Sequence, residues 1–523
     1  MKTFSVPLEQ ATKIGLRRDY RSQRNQPQFT SLVNMKPTQY GLMQVPLVNT
    51  PIVLPPELSV FWPLPQLFRG QSYTLLADHT ALFQVNEDSW ALKAVESPGG
   101  PFPVGNGPWH LADFGRSWLL TNGVVTSYAA NQLTTTALLG PRPDFLYQEH
   151  YVTNLVNSVC AFRGRALYGL SISSDLFDSV WAGFLSSWQT HVFTNFNWTH
   201  LQPRFNKPAY ILWSGISSKL LWPFESSLIN TGILPAEGAF DTTRPEFFEW
   251  LFDNDLGIMP MPWQGSVLCV LPLENAVIVY GSGGIAALVP VLVDNTTPTF
   301  GLKKLLDVGI ASRSAVGGDE KRHVFVTNNG DLWTVDLNLQ VERLGYREFF
   351  DSMLGKEIVV SFDPAEREFY IADGEKAFLL TPTGLCEQSQ ILTSFAHVSG
   401  GLVGLEVTDT GARQGAVSLQ TDVLDFGNRD IKRVSQIEVG MTGIADVECQ
   451  VLSRMDGEAE FFESEWRVAN ASGVCVIPTS GVDLMVGVRG TIVSSTPPPK
   501  IDYVTVHYQQ QGKRFIRGLS NVG

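Results

Sequence analysis

The chain has 523 residues, of which 44% are hydrophobic and only 17% are charged. This composition supplies a large core and excludes a disordered chain, which would carry more charge and fewer apolar residues. The net charge of −13 excludes a protein that grips nucleic acid through clustered basic residues, but it allows a channel along which DNA slides without binding.

Glycine and proline are frequent, with 46 and 31 residues, as are tryptophan and phenylalanine, with 13 and 31. Short strands, tight turns and aromatic packing produce such a composition, so we expect an all-β protein. The first 20 residues lack the apolar stretch of a signal peptide, and no window approaches the roughly 18 apolar residues of a membrane span. We therefore expect synthesis in the cytoplasm and no membrane span.

The cysteines are odd in number, far apart and free of any C-x-x-C pair. Most lie within apolar runs that are typical of strands. Buried, reduced thiols are therefore favoured over disulfides or metal ligands. The five are Cys160, Cys269, Cys386, Cys449 and Cys475.

Residues 1–65 differ from the rest of the chain. They carry four arginines (Arg17, Arg18, Arg21 and Arg24) and then a run of prolines from Pro37 to Pro65. Proline removes donors from a β-ladder, so we expect an extended arm with at most edge strands. In a monomer the arm would be a frayed tail. In an assembly it would lie on a neighbouring subunit, and the apolar residues interleaved along the arm favour this second interpretation.

Residues 66–411 repeat one unit, an apolar strand, a polar turn with glycine and a second strand. Asn-Gly and Asp-Gly turns supply the positive φ of tight hairpins. The spacing of roughly 40–50 residues is typical of propeller blades, so we predict a divergent β-propeller of about six or seven blades without the WD40 signature. The units are 75–83, 118–125, 159–168, 277–286, 324–333 and 369–378, with a further one at 210–222.

An insertion at about 181–260 is rich in aromatic residues, including Trp181, Trp188, Trp198 and Trp213. It has two interpretations, a surface that binds sugar or a partner and packing between blades. Packing is favoured, because aromatic side chains dominate the energetics of cores.

Residues 412–510 show cleaner alternation. One side is formed by Val417, Leu419, Thr421 and Val423, and the same period recurs at 447–451, 482–488 and 504–508. A period of two with one polar face predicts an antiparallel β-sandwich. The remaining residues, 511–523, form a basic tail that either docks on an acidic neighbour or is solvated.

The search for chemistry yields no specific motif. His191 and His200 are the closest histidine pair, and Asp253-Asn254-Asp255 begins like a calcium loop but lacks its closing glutamate. Gly281-Ser282-Gly283-Gly284 lacks the Lys-Ser/Thr ending of a phosphate loop and is better interpreted as a hairpin turn. We predict no catalytic, cofactor-binding or metal site, no cofactor and no enzymatic activity.

Two segments, 305–333 and the preceding 263–281, resemble the propeller of tail nozzle, tail hub and DNA-stabilisation proteins of short-tailed bacteriophages. The first contains Gly309-Ile310-Ala311-Ser312 and the turn Asn329-Gly330-Asp331 before Trp333. Residues 419–434 and 502–506 resemble the sandwich that follows in such proteins. The resemblance covers about half of the chain and carries no catalytic residues.

The resemblance implies a structural virion protein of the tail, made in the host cytoplasm. It would form a ring of about six copies through one repeated heterologous interface. The implied partners are copies of the chain itself, adaptor or portal-proximal tail proteins and tail fibres. The ring would retain genomic DNA and let it pass through the lumen during ejection, without specific binding.

Two alternatives remain from the sequence. One is a receptor-binding or fibre-attachment tail protein that uses the aromatic insertion. The other is a glycan-degrading propeller, which needs two facing carboxylates, and Glu249 and Asp253 are candidates. The repeated Ser-x-Asp-x-Gly-x-Thr-Trp turn of sialidases is absent from the sequence.

Overall fold

The structure is a computed structural model, and its description covers the larger part of the chain. Of the described residues, 62% lie in strands and 2% in helix, so this part of the chain is nearly all β, as the composition predicted. One helical turn, α1 (Arg347–Phe350), runs into a 3-10 turn (Asp351–Met353). The described residues are 1–8, 15–18, 24–26, 28–38, 41–54, 66–69, 74–78, 81–95, 108–114, 117–123, 126–130, 156–171, 209–214, 257–293, 297–398, 401–406, 415–493 and 498–512.

The N-terminal region contains five short strands. They are β1 (Lys2–Ser5), β2 (Gly15–Leu16), β3 (Gln28–Val33), β4 (Met35–Thr38) and β5 (Gly41–Gln44).

Three antiparallel sheets follow in chain order. The first is β6 (Gln66–Arg69), β7 (Thr74–Ala77), β8 (Leu82–Val85) and β9 (Leu92–Ala94). The second is β10 (His110–Asp113), β11 (Ser117–Thr121) and β12 (Thr126–Ala130). The third is β13 (Val156–Phe162), β14 (Arg165–Ser171), β15 (Ala209–Trp213) and β16 (Gly257–Pro260).

Three four-stranded units and a hairpin come next. The fourth sheet is β17 (Val267–Pro272), β18 (Val277–Gly281), β19 (Ile285–Val293) and β20 (Thr297–Leu306). The fifth is β21 (Val316–Gly318), β22 (Arg322–Val326), β23 (Leu332–Asp336) and β24 (Val341–Gly345). The sixth unit is β25 (Val359–Asp363), β26 (Glu368–Ala372), β27 (Ala377–Leu380) and β28 (Leu385–Gln388), followed by the hairpin β29 (Leu392–Val398) and β30 (Gly401–Glu406).

The C-terminal region adds eight strands. They are β31 (Ala416–Thr421), β32 (Ile431–Thr442), β33 (Ile444–Arg454), β34 (Phe462–Glu463), β35 (Arg467–Val468), β36 (Val474–Gly481), β37 (Asp483–Ile492) and β38 (Lys500–Gln511).

The hairpins predicted from the repeated units are confirmed. Six of the seven units coincide with an antiparallel pair of described strands. At the unit 118–125 the described second strand begins at Thr126, since 124–125 lie outside the described residues. The pairs are β7–β8, β11–β12, β13–β14, β18–β19, β22–β23 and β26–β27. In the seventh unit, 210–213 belong to β15, whereas 215–222 lie outside the described residues.

Each sheet contacts the next one in chain order. Leu75 and Trp109 share a cluster between the first and second sheets, and Thr121 Oγ1 donates to Val156 O between the second and third. Apolar clusters join the third sheet to the fourth and the fourth to the fifth. Val360 N donates to Ser314 O between the fifth and sixth.

The hairpin β29–β30 joins the last of these units to the first. The rings of Tyr370 and Phe395 meet edge to face at 4.8 Å, which packs the hairpin on the sixth unit. Leu405 shares a cluster with Leu67, and Ser394 Oγ lies 3.0 Å from Leu67 N, which fixes the hairpin to the first sheet. Contacts therefore run from the first sheet through each successive sheet to the hairpin β29–β30, and from this hairpin to the first sheet again.

Two sheets are built from the C-terminal strands, and the N-terminal strands complete both. In the six-stranded sheet the order is β36-β32-β38-β5-β4, with β1 also on β38. In the eleven-stranded sheet the order is β25-β26-β27-β28-β3-β31-β37-β33-β34, with β2 on β3 and β35 on β33. The alternating residues predicted to face one side are all buried, and most of them, from Val417 and Leu419 to Val504, Val506 and Tyr508, belong to one core cluster.

The prediction that residues 1–65 contribute at most edge strands is wrong for β3. This strand has β28 on one side and β31 on the other, and Phe29 and Leu32 are fully buried. Proline still marks an edge, because Pro37 lies in β4, the last strand of its sheet. The segment 28–33 contains no proline, so nothing prevents it from pairing on both sides.

Three basic residues of the N-terminal region bind acidic residues of the same chain. Arg17 Nε lies 2.7 Å from Glu348 Oε1, and Arg24 Nη2 lies 3.2 Å from Asp483 Oδ2. Lys36 Nζ lies 2.7 Å from Glu368 Oε1. The described part of this region is thus bound within its own chain, which replaces the expectation of an arm that lies on a neighbour.

Candidate functional site

A group of buried and half-buried polar side chains lies where the first strands of the second, third and fourth sheets meet. Ser158 Oγ on β13 lies 2.8 Å from His110 Nδ1 on β10. The same oxygen accepts a hydrogen bond from Val270 N on β17, and Asn157 Nδ2 donates to Val267 O. Separate sheets are not joined by the backbone hydrogen bonds of a β-ladder. These side chains make the hydrogen bonds that connect the sheets instead.

Arg313 reaches this junction from the loop between β20 and β21. Its side chain is 8% exposed, and Nη2 donates to Asn157 O. Burial lowers the pKa of Arg313 to about 10. Glu357, just before β25, accepts a hydrogen bond from Ser314 N, and burial raises its pKa. The loop therefore ties the third, fifth and sixth units together.

A serine beside a histidine suggests a nucleophile and its base, but the surroundings oppose this role. Ser158 is fully buried, and burial, with the neighbouring Arg313, lowers the pKa of His110 well below its usual value. Burial raises the pKa of the Cys269 thiol to about 12 and that of Cys160 still higher. A nucleophilic cysteine needs the opposite shift, so both thiols are held protonated and inert.

A second buried pair lies between the fourth and fifth sheets. His323 Nε2 lies 3.1 Å from Pro272 O, and a carbonyl can only accept, so this nitrogen carries the proton. His323 Nδ1, 2.9 Å from Tyr280 Oη, then accepts from the phenol. Burial lowers the pKa of His323 to about 4, so the imidazole is neutral. This pair also serves packing between sheets.

The prediction for the glycine-rich segment is confirmed. Gly281 N donates to Gly284 O in the turn between β18 and β19, so the segment is a hairpin turn. A Cβ on Gly281 would lie 2.4 Å from Trp263 Nε1, which explains the glycine without a phosphate ligand. Residues 309–315, which lie in the segment that resembles the tail proteins, form a loop with one isolated bridge at Ile310.

The other sequence candidates are not brought together by the described structure. His191, His200, Glu249 and the 253–255 segment lie outside the described residues, as does the tail 513–523. Of the insertion at 181–260, the structure describes 209–214 and 257–260, where Trp213 is buried against Phe300 at 5.1 Å. This contact is packing between sheets, the interpretation that the sequence favoured.

The prediction for the cysteines is confirmed, because all five are free and buried. Among the described residues, no group of three or more histidine, cysteine, aspartate or glutamate side chains could hold a metal ion. Within the same residues, no helix is long and apolar enough to cross a membrane. Sequence reasoning missed the junction around Ser158, because its contacts join residues that are 48 to 156 positions apart in the chain.

No family model matches the chain, and no curated protein matches it. Among solved structures it is similar to the extracellular domain of the one component system BT4673 from B. thetaiotaomicron, with 9% identity and a TM-score of 0.37, over 91% of this chain and 62% of that one. It is also similar to BamB from Moraxella catarrhalis (9% identity, TM-score 0.32, 66% and 80% covered) and to the Neurospora crassa Pan2 WD40 domain (7%, 0.31, 68% and 84%).

The chain thus spans about 62% of the length of the BT4673 domain. None of these three names describes a phage tail protein. At such identities and TM-scores the likenesses carry no conclusion about activity or partners. The chain is a nearly all-β protein with propeller-like structural neighbours.

Proposed function

We propose that this chain is a structural subunit of a short-tailed bacteriophage tail, a nozzle or hub protein that forms a ring around the path of the DNA. Its partners would be further copies of itself, adaptor or portal-proximal proteins and tail fibres. It would perform no catalysis. The sequence resemblance supplies the family, and the packing of the sheets supports the mechanical role.

We infer that the sheets form a propeller of seven units. Six sheets follow one another, and the hairpin β29–β30 is an incomplete seventh that packs on both the sixth and the first. The N-terminal region completes it, because Gly404 N donates to Asn49 O at 2.8 Å. Distant parts of the chain thus close the ring. Closure stabilises blades that would not be stable singly.

We infer in addition that the two C-terminal sheets form a sandwich. Their inward residues share one core cluster, which contains Val434 and Val506 from one sheet and Cys449 and Val486 from the other. Two antiparallel sheets that bury one face each against the other have this pattern.

The observation that carries the proposal is the continuity between the two parts. Strand β3 lies between the last full propeller unit and the C-terminal strands, so one eleven-stranded sheet crosses the boundary. A subunit that lines a conduit for pressurised DNA must resist bending between its domains. Shared strands give that resistance, whereas a flexible linker would not.

The buried polar groups support a passive role as well. His110 beside Ser158 and His323 beside Tyr280 are neutral, and these side chains are hydrogen-bonded between sheets within the chain. Groups arranged in this way stabilise the junctions and are not prepared for turnover.

Antibodies raised against the purified chain provide the test. On phage particles whose genome encodes the chain, we expect them to label the tail beneath the head. Label confined to the fibres would support the receptor-binding alternative, and no label on intact or opened particles would contradict the proposal. Release of sugar from host glycans, lost in Asp253→Ala or Glu249→Ala, would support the glycan-degrading alternative.

A further inference from the structure

The hairpin β19–β20 extends beyond its own sheet. Strand β18 pairs with β19 only as far as Leu288, so 289–293 pair only with 297–301 of β20. Strand β20 is the last strand of this sheet. A two-stranded ribbon is at best marginally stable in water, so this extension needs a surface to cover it.

The described residues 289–293 and 297–304 are here called the ribbon. It consists of the extension and of 302–304 at the base of the extension, where β20 still pairs with the sheet. Phe300 is buried against Trp213 of the third sheet. Further out, Val291 and Leu292 are 39% and 61% exposed, and as neighbours on a strand they face opposite sides. Lys303 and Lys304 are exposed beside Leu302, and Lys304 forms an ion pair with the exposed Asp307. The ribbon is therefore apolar, with basic residues at its base.

A surface of opposite charge lies at the edge of the eleven-stranded sheet. Residues 456–468, here called the acidic edge, include β34 and β35, and Phe462 and Val468 are 70% and 69% exposed. Five exposed carboxylates lie in the same segment, and Arg467 is its one basic residue. The five are Asp456, Glu458, Glu460, Glu463 and Glu465. Asp456 pairs with Arg429 and Glu465 pairs with Arg467, whereas the other three form no ion pair with a described residue of the chain.

We propose that the ribbon of one copy docks on the acidic edge of the next copy. The ribbon carries basic residues and the acidic edge carries carboxylates, and both surfaces expose apolar side chains. Because one chain carries both surfaces, the acidic edge of a second copy can bind the ribbon of the first. Contact between two different surfaces of identical subunits is heterologous, and it closes into a ring when the rotation allows. The inference rests on the proposed function, for which it names the interface.

The contact is made by side chains rather than by an added strand. Pro290 and Pro298 lie in the ribbon, and proline removes the donor that strand addition requires. Apolar burial of Leu292 and Phe462 would supply the affinity. The charges of the lysines and glutamates would set the orientation and exclude wrong pairings.

A charge exchange tests this pairing. We expect Lys303→Glu with Lys304→Glu to weaken association of the full chain about tenfold or more, and Glu460→Lys with Glu463→Lys to do the same, since like charges would then face each other. The chain that combines all four substitutions should associate as the wild type does. Analytical ultracentrifugation over a concentration series measures association, and circular dichroism confirms that each variant folds.

Lys93→Glu with Lys321→Glu is the matched control. Both lysines are exposed and lie outside the ribbon, so this variant changes the net charge equally and should associate as the wild type does. Leu292→Asp gives a second route, because it removes the apolar contact and leaves the lysines in place. We expect it to reduce association as well.

The possible outcomes distinguish failure of the proposed interface from failure of the proposed ring. Wild-type rings that survive both charge reversals and Leu292→Asp would overturn the pairing and leave the ring intact. Failure of the combined variant to recover, with the single reversals impaired, would also overturn it. A wild-type chain that stays monomeric at every concentration would overturn the pairing together with the ring.

Discussion

Asn34 joins three distant parts of the chain through one buried amide. Its Nδ2 lies 2.6 Å from Ser389 Oγ and 2.7 Å from Ala416 O, and its Oδ1 accepts a hydrogen bond from Ser389 N. The residue has a φ of 58°, in the left-handed region that asparagine tolerates better than most residues. Asn34 thus connects the end of the sixth unit to the C-terminal strands.

We expect Asn34→Ala to destabilise the protein by about 3 kcal/mol, because Ser389 N and Ala416 O lose a buried partner. Differential scanning calorimetry should show a lower Tm. Asn338→Ala, at an exposed turn position, is the control and should melt as the wild type does. An unchanged Tm for Asn34→Ala would show that these bonds do not hold the two parts together.

The buried His323 predicts a loss of stability in mild acid. Its pKa is about 4 in the folded chain against 6.5 for the free side chain, so the unfolded chain binds more protons between these values. Stability is therefore full above pH 6.5 and falls as the pH drops towards 4, by an amount on the order of 3 kcal/mol.

Thermal melts over this pH range measure the effect. In His323→Gln the decline between pH 6.5 and 4 should be shallower than in the wild type, since one titrating group has been removed. The same slope in both proteins would mean that His323 is protonated in the folded chain.

At the scale of elements, local patterns predicted much of the fold. Turn residues such as Asn329-Gly330 identified the hairpins, and the period of two identified the buried faces of β31, β33, β37 and β38. The place of β3 could not be predicted, because its partners near residues 387 and 420 are hundreds of positions away. No local period carries information about such a pairing.

Strand β3 should matter to both parts of the molecule. Leu32 is fully buried and belongs to the shared core, so Leu32→Ala should cost about 2–5 kcal/mol through the cavity it leaves. Leu47→Ala is the control from the same region, because Leu47 is 53% exposed and should change stability by less than about 0.5 kcal/mol.

Hydrogen exchange locates the effect of Leu32→Ala. We expect faster exchange in β27–β28 and also in β31 and β37, because β3 lies between them. Faster exchange on one side of β3 alone would contradict the mechanical continuity from which the function is argued.

At the scale of the whole molecule, the composition correctly indicated an all-β chain with free, buried cysteines. The candidate site was less predictable. The junction of His110, Ser158 and Arg313 draws on two strands and one loop, and the sequence contains no motif that links them. The ribbon and the acidic edge could not be predicted from the sequence either, because the exposure of a side chain is a property of the fold and not of a local pattern.

The central claim is that identical copies of this chain assemble around a lumen wide enough for DNA. Single-particle cryo-electron microscopy of the purified chain at high concentration tests it most directly. We expect class averages with cyclic symmetry and an open centre at least as wide as a DNA duplex, roughly 20 Å, lined by the same surface of every copy. Closed discs without a lumen, or particles that remain single copies, would contradict the account.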